Sequence, residues 1–427
     1  MSNIRSPQQP AVAPVVILIG SIAMLFITAA SPHLVAVSLK DITVDFGGGR
    51  TIPSSAFALT YIGSGIGGIL MGWVVDRYGF AIPAFVGAIM VSLGGLLTSI
   101  VDQSWQLLAI YAVMFGLSGQ GALAAPAMAN ISRWYYKKRA MAVGMVSSGQ
   151  ALAGIVWLPV FGWAVDLIGW RDLYYLFGAV ALMVLMPVAW MIRHRPPAPP
   201  PPKPAAPPEP GSELDKAASE ILPKGPALSI ATIQVTLTIA ILGCCLAMAM
   251  PLAHLVALVT DVGYSRIEGA TVLSAVLFSA FISRAVLLGL IAGKIGGLWS
   301  LLVFSGVQGA MLGLFTIVDQ LWTLYACAIL FGLGYGGIFP IYAVAVRDHL
   351  PHHQTGWRTG VIFSSGAVAM GAGGWLGGYM FDATGSYDAP FLIGVAANAF
   401  NVVLVIWLIA MLKPLTQRKI SLSAAAG

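Results

Sequence analysis

Twelve apolar runs, each close to the twenty or so helical residues needed to cross a bilayer core of about 30 Å, fall along this chain of 427 residues. They cover 14–39, 54–75, 81–101, 105–131, 139–165, 173–192, 228–260, 267–293, 298–318, 322–346, 357–381 and 389–412. Lipid offers no partner to a bare N–H or C=O, so runs of this length predict an all-α membrane protein. Only 9% of the residues are charged, against about 25% in soluble domains, and the mean hydropathy of +0.86 leaves a globule no surface to show to water. The first run is too long for a signal-peptide core and is kept as helix one. Cys244, Cys245 and Cys327 all lie in apolar runs, which predicts neither a disulfide framework nor a metal set.

Lys and Arg orient the bundle. With the N-terminus inside, seventeen fall on the inner side, Lys40, Arg50, Arg171 and Arg266 fall outside, and Arg284 lies within a run. That asymmetry predicts twelve spans with both termini cytoplasmic, in a cell inner membrane. The net charge of +6 is thus spent on topology and does not point to nucleic acid.

Self-comparison divides the chain. Asp45, Gly47 and Arg50 recur as Asp261, Gly263 and Arg266, and Phe115-Gly116-Leu117 recurs as Phe331-Gly332-Leu333. Gly162, Asp166, Gly169, Asp172 and Gly178 return as Gly378, Asp382, Gly385, Asp388 and Gly394, always 216 residues on. Two parallel six-helix repeats result: an N-terminal half over 1–193 and a C-terminal half over 227–427. The linker 194–226 carries ten prolines within 196–210, a composition that favours an extended, solvated tether. This is the architecture of the major facilitator superfamily, in which the substrate site lies at the midplane between halves.

The loop Gly72-Trp73-Val74-Val75-Asp76-Arg77-Tyr78-Gly79 resembles the superfamily's signature between helices two and three, which implies that Asp76 and Arg77 belong to a cytoplasmic gate. The repeat copy has Gly293 in place of the acid.

Arg284 is the most telling residue. A cation at the centre of a membrane helix costs at least about 2.5–3.5 kcal/mol and faces a partner or an aqueous path, and no acidic residue occurs within 276–289. A guanidinium without a fixed carboxylate is suited to take one from a substrate through two parallel hydrogen bonds. Pairing with carbonyls, or with an acid on another helix, is the structural alternative. His33 and His254, each followed by Leu-Val-Ala in helices one and seven, are candidates to bind substrate or carry a proton near neutral pH. A hydrogen-bonded packing role is their alternative. His349, His352 and His353 resemble a metal cluster by composition only, and no metal or cofactor is expected.

Beyond the superfamily, the sequence resembles the monocarboxylate transporters and their bacterial oxalate–formate exchanger relatives. The resemblance rests on 133–144, an aromatic pair and basic residues before helix five, and on Pro251-Leu252-Ala253-His254-Leu255-Val256 leading to Asp261-Val262-Gly263-Tyr264-Ser265-Arg266. It implies that Arg284 is the helix-eight arginine that holds the substrate carboxylate. It also implies a substrate-contacting role for Tyr335 and a place near the pocket for Ser364 and Ser365. His33 follows Pro32 where animal members have a lysine, and Ala280 stands where they have an aspartate, so a histidine would have to carry the coupled proton. Gly366 stands where oxalate exchangers have a second cation, which suggests one carboxylate per ligand. Gln120 and Tyr61 are the neutral polar candidates from the N-terminal half.

The expectation is a secondary transporter moving a small monocarboxylate by alternating access with proton symport. An anion exchanger and a ligand-binding sensor of the same fold are the alternatives. No paired acids, metal set or nucleophile with a base occurs at membrane depth, so no enzyme is expected, and no obligate protein partner is inferred.

Overall fold

The computed structural model describes residues 13–47, 49–135, 139–196, 228–351 and 355–425. Ten helical stretches are long and apolar enough to cross a membrane. One of them, Met141–Met191, is two helices joined at Gly169, where a φ of 79° breaks the run. Residues 104–134, an unbroken succession of α, π and α turns, make one crossing more. Among the described residues there are thus twelve crossings, numbered here in chain order. Helices one to six are Pro14–Val37, Thr51–Tyr78, Ala81–Thr98, 104–134, 139–168 and 170–191. Helices seven to twelve are Ile230–Asp261, 266–295, Gly297–Leu314, Leu321–His349, Thr355–Thr384 and Asp388–Ala425. Most of the linker (197–226), residue 227, and Tyr136, Lys137, Lys138, His352 and His353 of the motifs above, lie outside the described residues.

Local sequence explains the ends and the breaks. Ser265 and Glu268 form a reciprocal capping box that starts helix eight. Helix one is interrupted at Ala29–Ala30 and restarts at Ser31-Pro32, where the fixed φ of proline suits a first helical turn. Helix ten breaks at Gly337 into Leu321–Gly336 and Ile338–His349.

The internal repeat is written in the backbone. The turns after helices two and eight both use a glycine at positive φ, Gly79 at 88° and Gly296 at 80°, and those after helices five and eleven do the same at Gly169 and Gly385. Gly116 of helix four seats against the carbonyls of Leu59 and Thr60, while Gly332 of helix ten seats against that of Val276. Apolar burial gives helices in lipid little reason to associate, so such close small-residue contacts do much of the holding.

The halves meet along helices two and eleven and along helices five and eight, and they splay. A side chain at Gly378 or Gly374 would collide with Ser54 or Phe57 of helix two, and one at Gly371 would come within 2.8 Å of Ile62. Further along, one at Gly65 would reach Ala367 at 3.7 Å, whereas Gly72 and Gly360, nearer the far end, meet nothing within 4 Å among the described residues. The molecule is therefore shut at the face bearing residues 39–50, 166–171, 261–266 and 382–388, the latched face, and parted at the other.

Candidate substrate site and latch

Arg284 lies in a five-residue π segment of helix eight, Ser283–Leu287, a local widening often found at functional positions. Its surroundings explain how lipid tolerates the charge. The last four carbonyls of Leu321–Gly336 have no partner within that helix, and helix eight supplies two: Ser283 Oγ donates to Leu333 O at 2.7 Å and Arg284 Nε to Gly336 O at 2.8 Å. A cation at a helix C-terminus also complements the helix dipole. Gly336 permits the approach, since a side chain there would enter the backbone of Ala280. The two alternatives read from sequence thus coexist in one side chain. Nε is spent on a carbonyl, while Nη1 and Nη2 have no acidic partner among the described residues.

Tyr335 and Tyr61 complete this centre. The Arg284 guanidinium carbon is 5.6 Å from the Tyr335 ring centroid, and that ring stacks on Phe331. Tyr61, from helix two of the opposite half, packs on Phe57 at 4.9 Å and is close enough to sense both the Arg284 charge and the Tyr335 hydroxyl. Arg284, Tyr335 and Tyr61 are therefore brought together across the interface between halves. Gln120 ends the π stretch of helix four with its Oε1 buried and without a partner among the described residues. Ser364 and Ser365 are half-buried, the latter donating to Val361 O of its own helix. Gly366 packs against Ile241 and Cys245 of helix seven, so a cation there would meet a helix.

The two histidines are placed differently. His33 is half-buried, its Nε2 beside Gly154 and close to Leu277 of helix eight, and makes no hydrogen bond among the described residues. His254 is fully buried, with Nε2 2.8 Å from Gly374 O and Nδ1 3.2 Å from the Tyr387 hydroxyl. It is walled off from the interface in this conformation. Of the expected gate, Arg77 is exposed with its guanidinium 5.1 Å from the Trp73 ring, at the parted face; the Asp76 side chain lies outside those described. His349 Nδ1 lies 3.0 Å from Ala345 O of its own helix.

The sequence reading missed the latch. Arg50 grips Asp261 with both Nη atoms at 2.6 and 2.8 Å and donates from Nη1 to the Tyr387 hydroxyl at 2.7 Å. Partial burial alone would lower the Arg50 pKa, but its bonds to Asp261 and Tyr387 push it above its ordinary value. Asp382 accepts from the backbone N–H of Arg50 and Thr51 at 2.7 and 2.8 Å, capping helix two from the other half. Lys40 adds a third cation–carboxylate contact at 2.7 Å to Asp261. On the other side of the repeat Arg266 of the C-terminal half grips Asp41 and, at 3.0 Å, Asp166 of the N-terminal half. Behind it a cavity of about 300 Å³ is lined by Lys40, Asp166, Thr260 and Arg266. The signal was present: Asp and Arg recur at the repeat spacing beside the only predicted outer cations. It was used as evidence of repetition and not of contact.

With this geometry in hand, comparison with known proteins is decisive for the family. The family model of the Major Facilitator Superfamily matches residues 17–314 and 235–426. The chain belongs to that superfamily and is a membrane transporter. Monocarboxylate transporter 13 of Bos taurus is 27% identical over 358 residues, covering 81% of this chain and 76% of the relative. Monocarboxylate transporter 11 of Homo sapiens is 28% identical over 366 residues, with 80% and 70% covered. An uncharacterized MFS-type transporter, YcxA of Bacillus subtilis (strain 168), is 24% identical over 350 residues, with 79% and 81% covered. Among solved structures, a bacterial homologue of the human lysosomal transporter Spinster, in an inward-facing, unoccupied conformation, superposes with a TM-score of 0.62 at 14% identity, covering 93% of this chain and 95% of that one. That likeness establishes the fold alone.

Proposed function

We propose that this transporter carries a small monocarboxylate across the inner membrane by alternating access, with proton symport. The observation that carries the proposal is Arg284: its Nε is pinned to Gly336 O, which fixes the plane of the guanidinium and leaves the two terminal nitrogens as a fork for one carboxylate. Tyr335 and Tyr61 flank it with apolar rings and hydroxyls, so a short organic anion finds charge on one side and aromatic surface on the other. Gln120, Ser364 and Ser365 are the further polar groups assigned to this ligand. The relatives named monocarboxylate transporters support the same reading. The half-buried His33, beside Gly154 and Leu277, is the group assigned to the coupled proton.

The excess of Lys and Arg on one side supports cytoplasmic termini, a parted face that opens to the cytoplasm with Asp76 and Arg77 at its gate, and a latched face outside. The halves 1–193 and 227–427 then rock about the Arg284 centre, joined by the tether.

The test is ligand-dependent thermal stability of the purified protein, since a ligand bound only to the folded state raises its apparent stability by mass action. Monocarboxylates are expected to stabilise the protein, more strongly at pH 5.5 than at 7.5, and Arg284→Gln to abolish the effect. No shift with any carboxylate overturns the ligand assignment. Counterflow in proteoliposomes separates symport from exchange: uptake that requires a preloaded anion and moves no proton sinks symport.

A further inference from the structure

The latch is wired to a histidine on one side of the pseudo-twofold only. Gly374 O can only accept a hydrogen bond, so His254 Nε2, 2.8 Å away, carries the ring hydrogen. In the neutral imidazole Nδ1 is then an acceptor, and the Tyr387 hydroxyl donates to it across 3.2 Å. With its own hydrogen so committed, the Tyr387 oxygen is free to accept from Arg50 Nη1 at 2.7 Å, and Arg50 goes on to Asp261. The hydrogens run outward from Arg50, one way to Asp261 and the other through Tyr387 and His254 to Gly374 O, and each donor has a single assignment. The positions 216 residues before His254 and Tyr387 are Ser38 and Arg171, so the Arg266 side has no such wire. Architecture alone would have repeated it; its presence on one side singles it out.

A second proton on this ring has nowhere to go while the latch is shut. On Nδ1 it would force Tyr387 to accept from His254 and Arg50 together and to turn its own hydrogen away, and would set an imidazolium beside the Arg50 guanidinium. The charged groups facing the ring are Arg50 from before helix two and Asp382 of helix eleven, with Asp261 further along its own helix and Tyr387 ahead of helix twelve. Both carboxylates are already engaged, Asp261 by Arg50 and Lys40 and Asp382 by two backbone N–H groups and the Thr51 hydroxyl. The ring lies close against Gly377, in the space that a side chain there would fill.

We propose that His254 is the acid sensor of the latch, protonated on Nδ1 only when the halves part at that face, so that acid on that side holds them parted. Because the latched state excludes the proton, linkage makes the proton favour the unlatched one. This proton works the latch and is distinct from the one assigned to symport. The inference rests on alternating access but on neither the carboxylate nor its coupling.

The test needs no substrate. Spin labels at Val44→Cys and Ile317→Cys, exposed positions of the two halves at the latched face (79% and 76%), the former in the short helix Leu39–Phe46, report the separation of that face by pulsed dipolar spectroscopy in nanodiscs; the three native cysteines are buried. If the unlatched histidine titrates near its ordinary value of about 6.5, the ratio of unlatched to latched molecules rises about tenfold from pH 7.5 to 5.5. His254→Gln, which mimics the neutral ring, is expected to abolish that rise. No rise in the parent protein, or an equal rise in His254→Gln, overturns the proposal. Should His254→Gln not fold, His254→Asn, likewise neutral across this pH range, decides: a full pH response in that variant refutes the idea. Failure of the carboxylate assignment would appear separately, as absent thermal stabilisation with an intact pH response.

Discussion

The guanidinium of Arg284 and the carbonyl of Gly336 meet at 2.8 Å where helices eight and ten cross, so a cation in mid-helix is held by the broken end of its neighbour. Helix ten supplies an orphan acceptor because it stops at Gly336, and helix eight fills it with a side chain from its π turn. The terminal nitrogens are thereby aimed, which a free arginine in a cavity would have to do at a cost in side-chain entropy.

Replacing Gly336 by Ala separates aim from charge. The added methyl would enter the Ala280 backbone, push helix ten away and take the carbonyl out of reach. Losing one charge-assisted hydrogen bond, about 1.5–3 kcal/mol, predicts an apparent monocarboxylate affinity at least tenfold weaker, read by ligand titration of the melting temperature. Unchanged affinity would show that the anchor has no role in binding.

Arg284→Lys keeps the charge and discards the fork. Lysine offers a compact ammonium with no Nε to pin and no planar pair of donors, so more than tenfold loss of affinity is expected although net charge is conserved. Equal binding by Lys and Arg would mean that a point charge suffices there.

Much of this fold was legible because lipid imposes a coarse rule: an apolar run of some twenty residues is a helix, and two sets of six with recurring Gly79/Gly296 and Gly169/Gly385 turns form a repeat. Arg284 was legible for the same reason, as a cation where cations are costly. What stayed hidden was long-range. Nothing near Arg50 in sequence announces Asp261 or Tyr387, which lie 211 and 337 residues away. His254 read as a cavity residue because helix seven lines the interface in this fold, yet its register turns it towards helix eleven.

Gly49 tests the latch through the backbone. It adopts φ 73° and lies against Asp382, where a side chain would clash. Gly49→Ala pays roughly 1–2 kcal/mol for a left-handed alanine and crowds the carboxylate that caps helix two. The expected result is a five- to thirtyfold shift towards the unlatched state, seen as a longer distance between labels at Val44 and Ile317. An unaltered distribution would argue that Asp382 adjusts without loosening the latch.

The Arg50–Asp261 pair should act as one unit. Exposed ion pairs contribute about 0.2–1 kcal/mol, but Arg50 is only 11% exposed and its bond is two-pronged, which places the pair above that range while leaving the latch weak enough to open. In a double-mutant cycle on the same distance measurement, Arg50→Gln and Asp261→Asn should each raise the unlatched fraction, and the double variant should exceed the more severe single one only slightly, because the second change removes a partner already lost. Lys40, also bound to Asp261, makes Asp261→Asn the more severe of the two. Strict additivity would mean that Arg50 and Asp261 hold the closed face through separate contacts and not as a pair.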